Sequence, residues 1–413
     1  MQANDKKNIA IVWEGYDAGG VDSYLSYLLD AWPCDDEIYI FYNVENLGVE
    51  RLKKIISNKT IKFRQVKTIF KYYDGKTSTS LALKYIMHLL APLLYFRNIL
   101  EYKKIFQRYD FDILMAQNGG YPGSYGVLSS CVGAAFANIE VGCLVVHHAA
   151  NPPRFGHKYF RFIIERQLSK NLNSIIAISK VTKQTILNNT GLFNGEKDKI
   201  SVIENGVPIP KQKKEHIAFG GKKLKIGIIG RLDPHKGHDD FLMALSLMPK
   251  DYLSMVSVEF IGGYREEDFI RVSGHVATFG LQDVVEIKGY VNLSVAEIIL
   301  GLDLVVMVTK DFEGFGLTIV EALHSGVPVM ATRVGIVPEL FSDNDVMSVE
   351  PGDVRGMARA IKEFIETEEK NIFISVEMKS RLRKYESGYS SNRYRDHLVN
   401  MNSKKNVNNS GPS

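Results

Sequence analysis

Residues 208–237 read PIPKQKKEHIAFGGKKLKIGIIGRLDPHKG. The first sixteen of these, with two prolines, five lysines and a glycine pair, show no apolar periodicity and read as a linker. A short apolar strand follows at residues 225–230 and turns straight into a helical stretch. Working outward, short β-rich runs alternate with longer helical ones in both directions. Upstream the candidate strands are residues 9–14, 37–44, 61–67, 113–118, 143–148, 174–179 and 200–204; downstream they are 225–230, 256–262, 284–289, 302–309, 328–334 and 346–350. Runs such as CLVV (143–146) and SIIAIS (174–179) are continuously apolar rather than alternating, which suits parallel strands covered on both faces. Two such series predict an α/β protein of two doubly wound, Rossmann-like domains facing across a cleft. The expected boundaries are 1–210, a linker at 211–223, a second domain at 224–385, a helix at 386–400 that crosses back to the first domain, and a disordered tail at 401–413.

Composition agrees with a globular chain. Of 413 residues, 45% are hydrophobic and 24% charged, which excludes disordered and fibrous classes. Cys34, Cys131 and Cys143 form no CxxC pair, so neither a zinc ribbon nor a disulfide framework is expected, and a reducing compartment fits. The apolar run at residues 9–13 is too short for a signal-peptide core. The charge-free run at residues 85–96 falls short of the roughly 20 residues that span a bilayer, and Pro92 interrupts it. A soluble, cytoplasmic protein is the expectation. The formal charge of +4 conceals an asymmetry: residues 51–108 hold fourteen basic and two acidic side chains. Such a stretch is either a solvated basic face or a surface for an anionic lipid or acceptor.

Two motifs carry chemistry. In IGIIGRLDPHKG (226–237) a strand ends at Gly230, and Arg231 and Lys236 bracket the step into the next helix. Two cations at the carboxyl end of a parallel strand, beside a helix N-terminus, form an anion site suited to a diphosphate. At about 4 Å and an effective dielectric near 20, a unit charge pair gains on the order of 4 kcal/mol before desolvation. His235 and His238 have no carboxylates at ligand spacing, so a metal is not expected there. In EGFGLTIVEALHSGVPVMAT (313–332) Glu313 sits in a glycine-rich loop after a strand, a helix starts near Leu317, and Glu321 lies about one turn into it. That loop can aim the backbone N–H groups of Phe315, Gly316 and Leu317 at a phosphate, with the helix dipole adding to the attraction.

This pair of motifs resembles the signature of family 4 retaining glycosyltransferases, which have the GT-B fold. The resemblance rests on the spacing of Glu313 and Glu321, on SGVPVMAT (325–332), VGIVPEL (334–340) and VIENGV (202–207), and on GGV (19–21) near the start. It implies a nucleotide-sugar held by the second domain, a UDP- or GDP-sugar, with Arg231 and Lys236 neutralising the departing diphosphate. It further implies that Glu313 holds sugar hydroxyls, that Glu321 holds the ribose, and that Glu339 lies near the donor, with residues 289–291 beside the base. From the first domain it implies Gly19 and Gly20 near phosphate or sugar, and a histidine after a strand in CLVVHHAANPP (143–153). Position against the strand favours His147, and the doubled histidine leaves His148 open. The implied catalytic set is therefore Glu313, His147, Arg231 and Lys236.

Two D-x-D triplets, Asp110 with Asp112 and Asp343 with Asp345, each precede a strand and so fall at its amino end, away from the ligand edge. No metal and no cofactor is therefore expected. The expected activity is transfer of a sugar, with retention, to a saccharide or lipid-linked acceptor in bacterial polysaccharide or glycolipid synthesis. The protein is expected in the cytoplasm or peripheral on the inner face of the membrane. A nucleotide-sugar epimerase of the same architecture and a silent nucleotide-sugar-binding protein are the alternatives. No GxGxxG follows the first strand, which argues against a dehydrogenase, and no nucleic-acid module accompanies the basic stretch.

Overall fold

A computed structural model describes residues 6–16, 19–56, 60–67, 81–153, 158–214, 222–342 and 345–409, with the backbone alone at 81–89, 371–372 and 402–409. The chain divides into two compact units, residues 1–206 with 387–413, and residues 207–386.

The first unit alternates β1 (Asn8–Trp13), α1 (Gly20–Asp30), β2 (Glu37–Asn43), α2 (Gly48–Ile55), β3 (Ile61–Val66), α3 (Leu81–Phe106), β4 (Ile113–Asn118), α4 (Tyr125–Phe136), β5 (Val141–Val146), α5 (Lys158–Asn171), β6 (Ser174–Ala177), α6 (Lys180–Asn189) and β7 (Ile200–Val202). Its seven strands pair in parallel in the order β3-β2-β1-β4-β5-β6-β7. Strand order reverses between β1 and β4, so their carboxyl ends open the crevice in which such sheets hold ligands. One face of the sheet, with Ala10, Val12, Leu114, Ala116, Leu144 and Val146, packs on Tyr95, Ile99 and Tyr102 of α3 and on Val127 and Cys131 of α4. Cys131 and Cys143 are buried; burial pushes the Cys143 thiol up to about 12 and the Cys131 thiol higher still, which leaves both inert.

The second unit runs β8 (Leu224–Ile229), α7 (His238–Ser246), α8 (Lys250–Ser254), β9 (Val256–Ile261), α9 (Glu266–Thr278), β10 (Val285–Gly289), α10 (Val295–Leu300), β11 (Leu304–Met307), α11 (Leu317–His324), β12 (Val329–Thr332), α12 (Val337–Leu340), β13 (Ser348–Val349), α13 (Val354–Glu366) and α14 (Val376–Leu382). Its six parallel strands follow the order β10-β9-β8-β11-β12-β13, with the switch point between β8 and β11.

Three differences from the sequence reading have physical causes. Strands read at residues 302–309 and 328–334 shorten to β11 and β12, because their ends feed the site loops instead of the ladder. Part of the linker is held on the second unit: the Val207 backbone N donates to Tyr385 O at 2.8 Å, and Lys214 Nζ lies 2.6 Å from Asp303 Oδ1. Residues 215–221 of the linker lie outside the described residues. The tail expected to be disordered from residue 401 is helical to Asn409, as the end of α15 (Ser387–Asn409), and residues 410–413 lie outside the described residues. That helix belongs to the first unit. Tyr394 and Leu398 are fully buried there, Ser391 Oγ donates to Leu28 O at 2.8 Å, and Arg395 Nε lies 2.8 Å from Asp36 Oδ2.

Candidate functional site

In the second unit the loops after β8 and β11 meet at the switch point. Gly237, at φ 76°, turns the first loop so tightly that a Cβ would lie 1.8 Å from Val308 O. The Lys310 backbone N donates to His235 O at 2.8 Å. This packing brings Lys236 Nζ to 2.7 Å from Glu313 Oε2, with Thr309 Oγ1 3.5 Å from the same oxygen. Both side chains are about four-fifths buried, at 26% and 17% exposure. Arg231 is half-exposed on the same loop, its Nη2 2.8 Å from Asp233 Oδ2. Gly230 is held by its backbone N on Ile261 O at 2.9 Å. Beside it Gly262, at φ 151°, lies so near that its Cβ would stand 2.2 Å from Gly230 O.

The glycine-rich loop then caps α11. Gly316, at φ 99°, is the N-cap, no side chain caps the helix start, and Phe315 and Gly316 are buried. Uncapped N–H groups at the positive end of a helix attract an anion. Glu321 sits one turn inside α11, half-buried. The VGIVPEL segment folds onto this loop: the Ile336 backbone N donates to Phe315 O at 3.2 Å, and Gly335 at φ 61° has no room for a Cβ, which would lie 2.7 Å from Phe315 O. Glu339 follows in α12 and pairs with Lys384 Nζ at 3.3 Å. Lys236, Glu313 and the segments carrying Arg231, Phe315, Leu317 and Glu339 are thus brought together on one sheet edge.

The histidines of the first motif divide. His238 is a core residue, edge-on to Phe260 with ring centroids 4.9 Å apart, and burial lowers its pKa to about 4. His235 is half-buried, its pKa lowered first by burial and then by Lys236. Among the described residues no group of three or more His, Cys, Asp and Glu is arranged to hold a metal. Asp112 Oδ2 accepts from the Asn8 backbone N at 2.8 Å, at the amino edge of the first sheet. Asp343 lies outside the described residues, and Asp345 Oδ1 accepts from the Met347 backbone N at 3.1 Å.

In the first unit Gly19 and Gly20 start α1 at the carboxyl end of β1. Both are exposed, and among the described residues a Cβ at either would meet nothing within 4 Å. His147 directly follows β5 and is buried, whereas His148 is exposed. His147 Nε2 lies 2.8 Å from Gln117 Oε1, a bond that uses the Nε2–H tautomer, and its ring packs 4.7 Å from that of Tyr24. Burial alone lowers its pKa to about 3, so the imidazole is neutral at physiological pH.

Sequence reading missed Glu14. It stands at the carboxyl end of β1, on the switch point, where Tyr102 Oη donates to Oε1 at 3.3 Å and Ser124 Oγ donates to Oε2. The signal was present: a carboxylate closing an apolar strand, five residues before Gly19.

The sequence model described as Glycosyl transferases group 1 matches residues 210–385, and the one described as Glycosyltransferase Family 4 matches residues 70–210. The yeast Saccharomyces cerevisiae phosphatidylinositol N-acetylglucosaminyltransferase GPI3 subunit is 28% identical over 202 residues, covering 47% of this chain and 43% of the relative. The Salmonella typhimurium O-antigen chain mannosyltransferase RfbU is 24% identical over 204 residues, covering 49% and 54%. The chain spans about half the length of the curated relatives it matches. The crystal structure of Anabaena Alr3699/HepE in complex with UDP and glucose superposes with a TM-score of 0.72 at 17% identity, covering 95% of this chain and 99% of that one. That likeness shows the fold, GT-B. Two family matches that meet at residue 210 and together run from 70 to 385, on this fold, mean that the chain belongs to the glycosyltransferases of the group 1, family 4 type.

Proposed function

We propose that the chain moves a sugar from a nucleotide diphosphate donor, a UDP- or GDP-sugar, to an acceptor hydroxyl, with retention at the anomeric carbon and without a metal ion. The observation that carries this reading is the Lys236–Glu313 pair, 2.7 Å apart at the switch point beside the uncapped start of α11. The diphosphate gains negative charge as the glycosidic bond breaks. Lys236, Arg231 and the α11 N-terminus are fixed charges aimed at that gain, so they stabilise the transition state more than the ground state. They supply the neutralisation that a divalent cation supplies elsewhere. Glu313, acceptor-only when ionised, suits sugar hydroxyls, and Glu321, one turn along α11, suits the ribose. His147, neutral, is a hydrogen-bonding group rather than a proton carrier. The departing phosphate then takes the acceptor proton on the same face of the sugar from which it leaves.

The Anabaena structure holds UDP, which makes UDP-sugars the first donors to test. The yeast relative's name includes phosphatidylinositol and the Salmonella relative's an O-antigen chain, which supports a lipid-linked or saccharide acceptor in bacterial polysaccharide or glycolipid synthesis. The test is incubation with a panel of UDP- and GDP-sugars and extracted glycolipids. Nucleoside diphosphate release is followed together with the anomeric configuration of the product by NMR. A product of retained configuration supports the reading. An epimerised nucleotide-sugar with no new glycosidic bond, or an inverted product, overturns it.

A further inference from the structure

The second unit contains a cavity of about 690 Å³ at the far end of α11 from the Glu313 loop. Eight residues of helix separate the two, or roughly 12 Å at 1.5 Å per residue. Leu323, Leu382 and Ile374 form an apolar wall, and Lys213, Lys379 and Arg383 are exposed around it. Lys214 also lines the cavity but is engaged, 2.6 Å from Asp303 Oδ1 and 2.7 Å from Leu302 O. The remaining three cations face one lining carboxylate, Glu386. A cavity with that excess attracts an anion.

His324 gives the cavity a second, independent feature. It is the last residue of α11, 93% buried by its 7% exposure, and it hydrogen-bonds the Leu382 backbone; with Nε2 unpartnered, that bond falls to Nδ1, whose proton the carbonyl takes. Its Nε2 is buried with no hydrogen-bond partner among the described residues. A buried lone pair without a donor costs about 1–3 kcal/mol, and native interiors rarely leave one so. Burial lowers the imidazole pKa, which keeps that nitrogen an acceptor. The complement is a molecule with an anionic end for the cations, a hydroxyl donor for Nε2, and a C–H face for the leucines. A pyranose phosphate has all three, and the volume lies within the roughly 300–1,000 Å³ range of small-molecule sites.

We propose that this cavity is an effector site for a phosphorylated sugar, distinct from the donor site. Its wall is shared with that site's support. Arg383 is followed by Lys384, which pairs with Glu339, and by Tyr385, whose ring packs 5.6 Å from that of Phe315. A ligand that draws Arg383 and Lys379 inward shifts the same segment, and so biases the loops that carry Glu339 and Glu313. Only this coupling rests on the proposed donor reading; binding does not.

The test uses the full chain and calorimetric titration with glucose 6-phosphate, glucose and inorganic phosphate as separate ligands. The titration is repeated in Lys236→Ala, so that capture at the donor site is recognised. Glucose 6-phosphate is expected to bind one to one in both proteins, and at least tenfold more tightly than phosphate or glucose. The surface changes Lys379→Glu and Arg383→Glu each weaken it at least tenfold. His324→Asn, which keeps a donor for Leu382 O and loses Nε2, does the same without lowering the melting temperature. Equal binding of phosphate and glucose 6-phosphate, unchanged affinity in the folded variants, or loss of binding in Lys236→Ala overturns the site. Once a donor is in hand, glucose 6-phosphate should move its KM at least threefold in the native protein and not in Arg383→Glu. An unmoved KM with binding intact overturns the effector role.

Discussion

Lys236 Nζ lies 2.7 Å from Glu313 Oε2, although 77 positions separate the two residues. The pair closes the β8 loop onto the β11 loop, and the tight Gly237 turn against Val308 sets its geometry. In this state Glu313 satisfies the cation that a diphosphate would otherwise claim. The carboxylate therefore holds the lysine in position, and in the proposed reaction the donor phosphates would take its place.

Lys236→Ala and Arg231→Ala are each expected to cut kcat about 100-fold or more with the fold intact, since removing one preorganised partner of a developing charge typically costs that much. Glu313→Gln keeps the shape and removes the charge, so it should cost kcat while donor KM changes little. Steady-state kinetics with the donor identified from the panel, alongside circular dichroism of each variant, checks both. A Lys236→Ala, Arg231→Ala double variant with near-normal turnover would show that the donor phosphates bind elsewhere.

Activity is expected to persist in excess EDTA. In the proposed reaction Lys236, Arg231 and the start of α11 take the part that a metal takes elsewhere in neutralising the leaving group. Turnover that disappears with EDTA and returns with Mn2+ reverses this, and directs attention back to Asp345 and its neighbour Asp343.

Much of this was legible because parallel α/β sheets write themselves plainly. Continuous apolar runs such as those at 143–146 and 174–179 became β5 and β6, and the direction of the strands fixes which edge is the carboxyl edge. The glycine-rich loop with Glu313 and Phe315 precedes a helix that starts at Leu317, as the sequence indicates, with Gly316 at φ 99° as its N-cap. What stayed hidden was pairing across the fold. Nothing in the string shows that Gly335 brings the Glu339 segment onto the Phe315 carbonyl, or that Lys384 answers Glu339. Glu14 was passed over because a lone carboxylate at a strand end has no spacing to announce it. The tail from residue 401 was read from composition, and composition does not register that α15 is already anchored by Tyr394, Leu398 and Arg395.

His147 provides a pH test. Burial lowers its pKa from 6.5 to about 3, so between those values the unfolded chain binds a proton that the folded chain does not. Stability from this residue is therefore full above pH 6.5 and falls as the pH drops towards 3, by up to about 1.4 kcal/mol per pH unit. His238, lowered to about 4, acts in the same direction. Urea midpoints should fall between pH 7.5 and 5.5, and less so in His147→Gln. The kcat profile of the native protein should show no step near pH 6.5 that His147→Gln removes. Such a step would mean that His147 titrates in the working range and acts as an acid or base.

The last prediction concerns a membrane surface. Among the described residues no helix is long and apolar enough to cross a bilayer. The apolar run of α3 instead divides between two faces. Ala91, Tyr95, Ile99 and Tyr102 are buried, whereas Leu90, Leu93, Phe96 and Leu100 are 42–70% exposed at helical spacing. Side chains 85–89 lie outside the described residues. Tyr95 meets Phe160 of α5 with ring centroids 5.8 Å apart, and this brings the start of α5 alongside, where Tyr159 and Phe162 are 78% and 59% exposed. Arg97, Lys158 and Arg166 are exposed on the same two helices. Exposed apolar side chains interleaved with cations suit the headgroup layer of an anionic membrane, where each basic residue near the surface is worth about 1 kcal/mol. The cations of α2 and β3 contribute less than their number suggests, because Lys53 pairs with Glu50 at 2.8 Å and Lys62 with Glu37 and Tyr39. Sedimentation with phosphatidylcholine vesicles of graded phosphatidylglycerol content should show binding that rises with anionic lipid and falls with salt. Leu93→Glu with Phe162→Glu should weaken it at least tenfold at unchanged melting temperature. Protein that stays in the supernatant with anionic vesicles at low salt excludes the membrane face, and a soluble saccharide then becomes the acceptor to pursue.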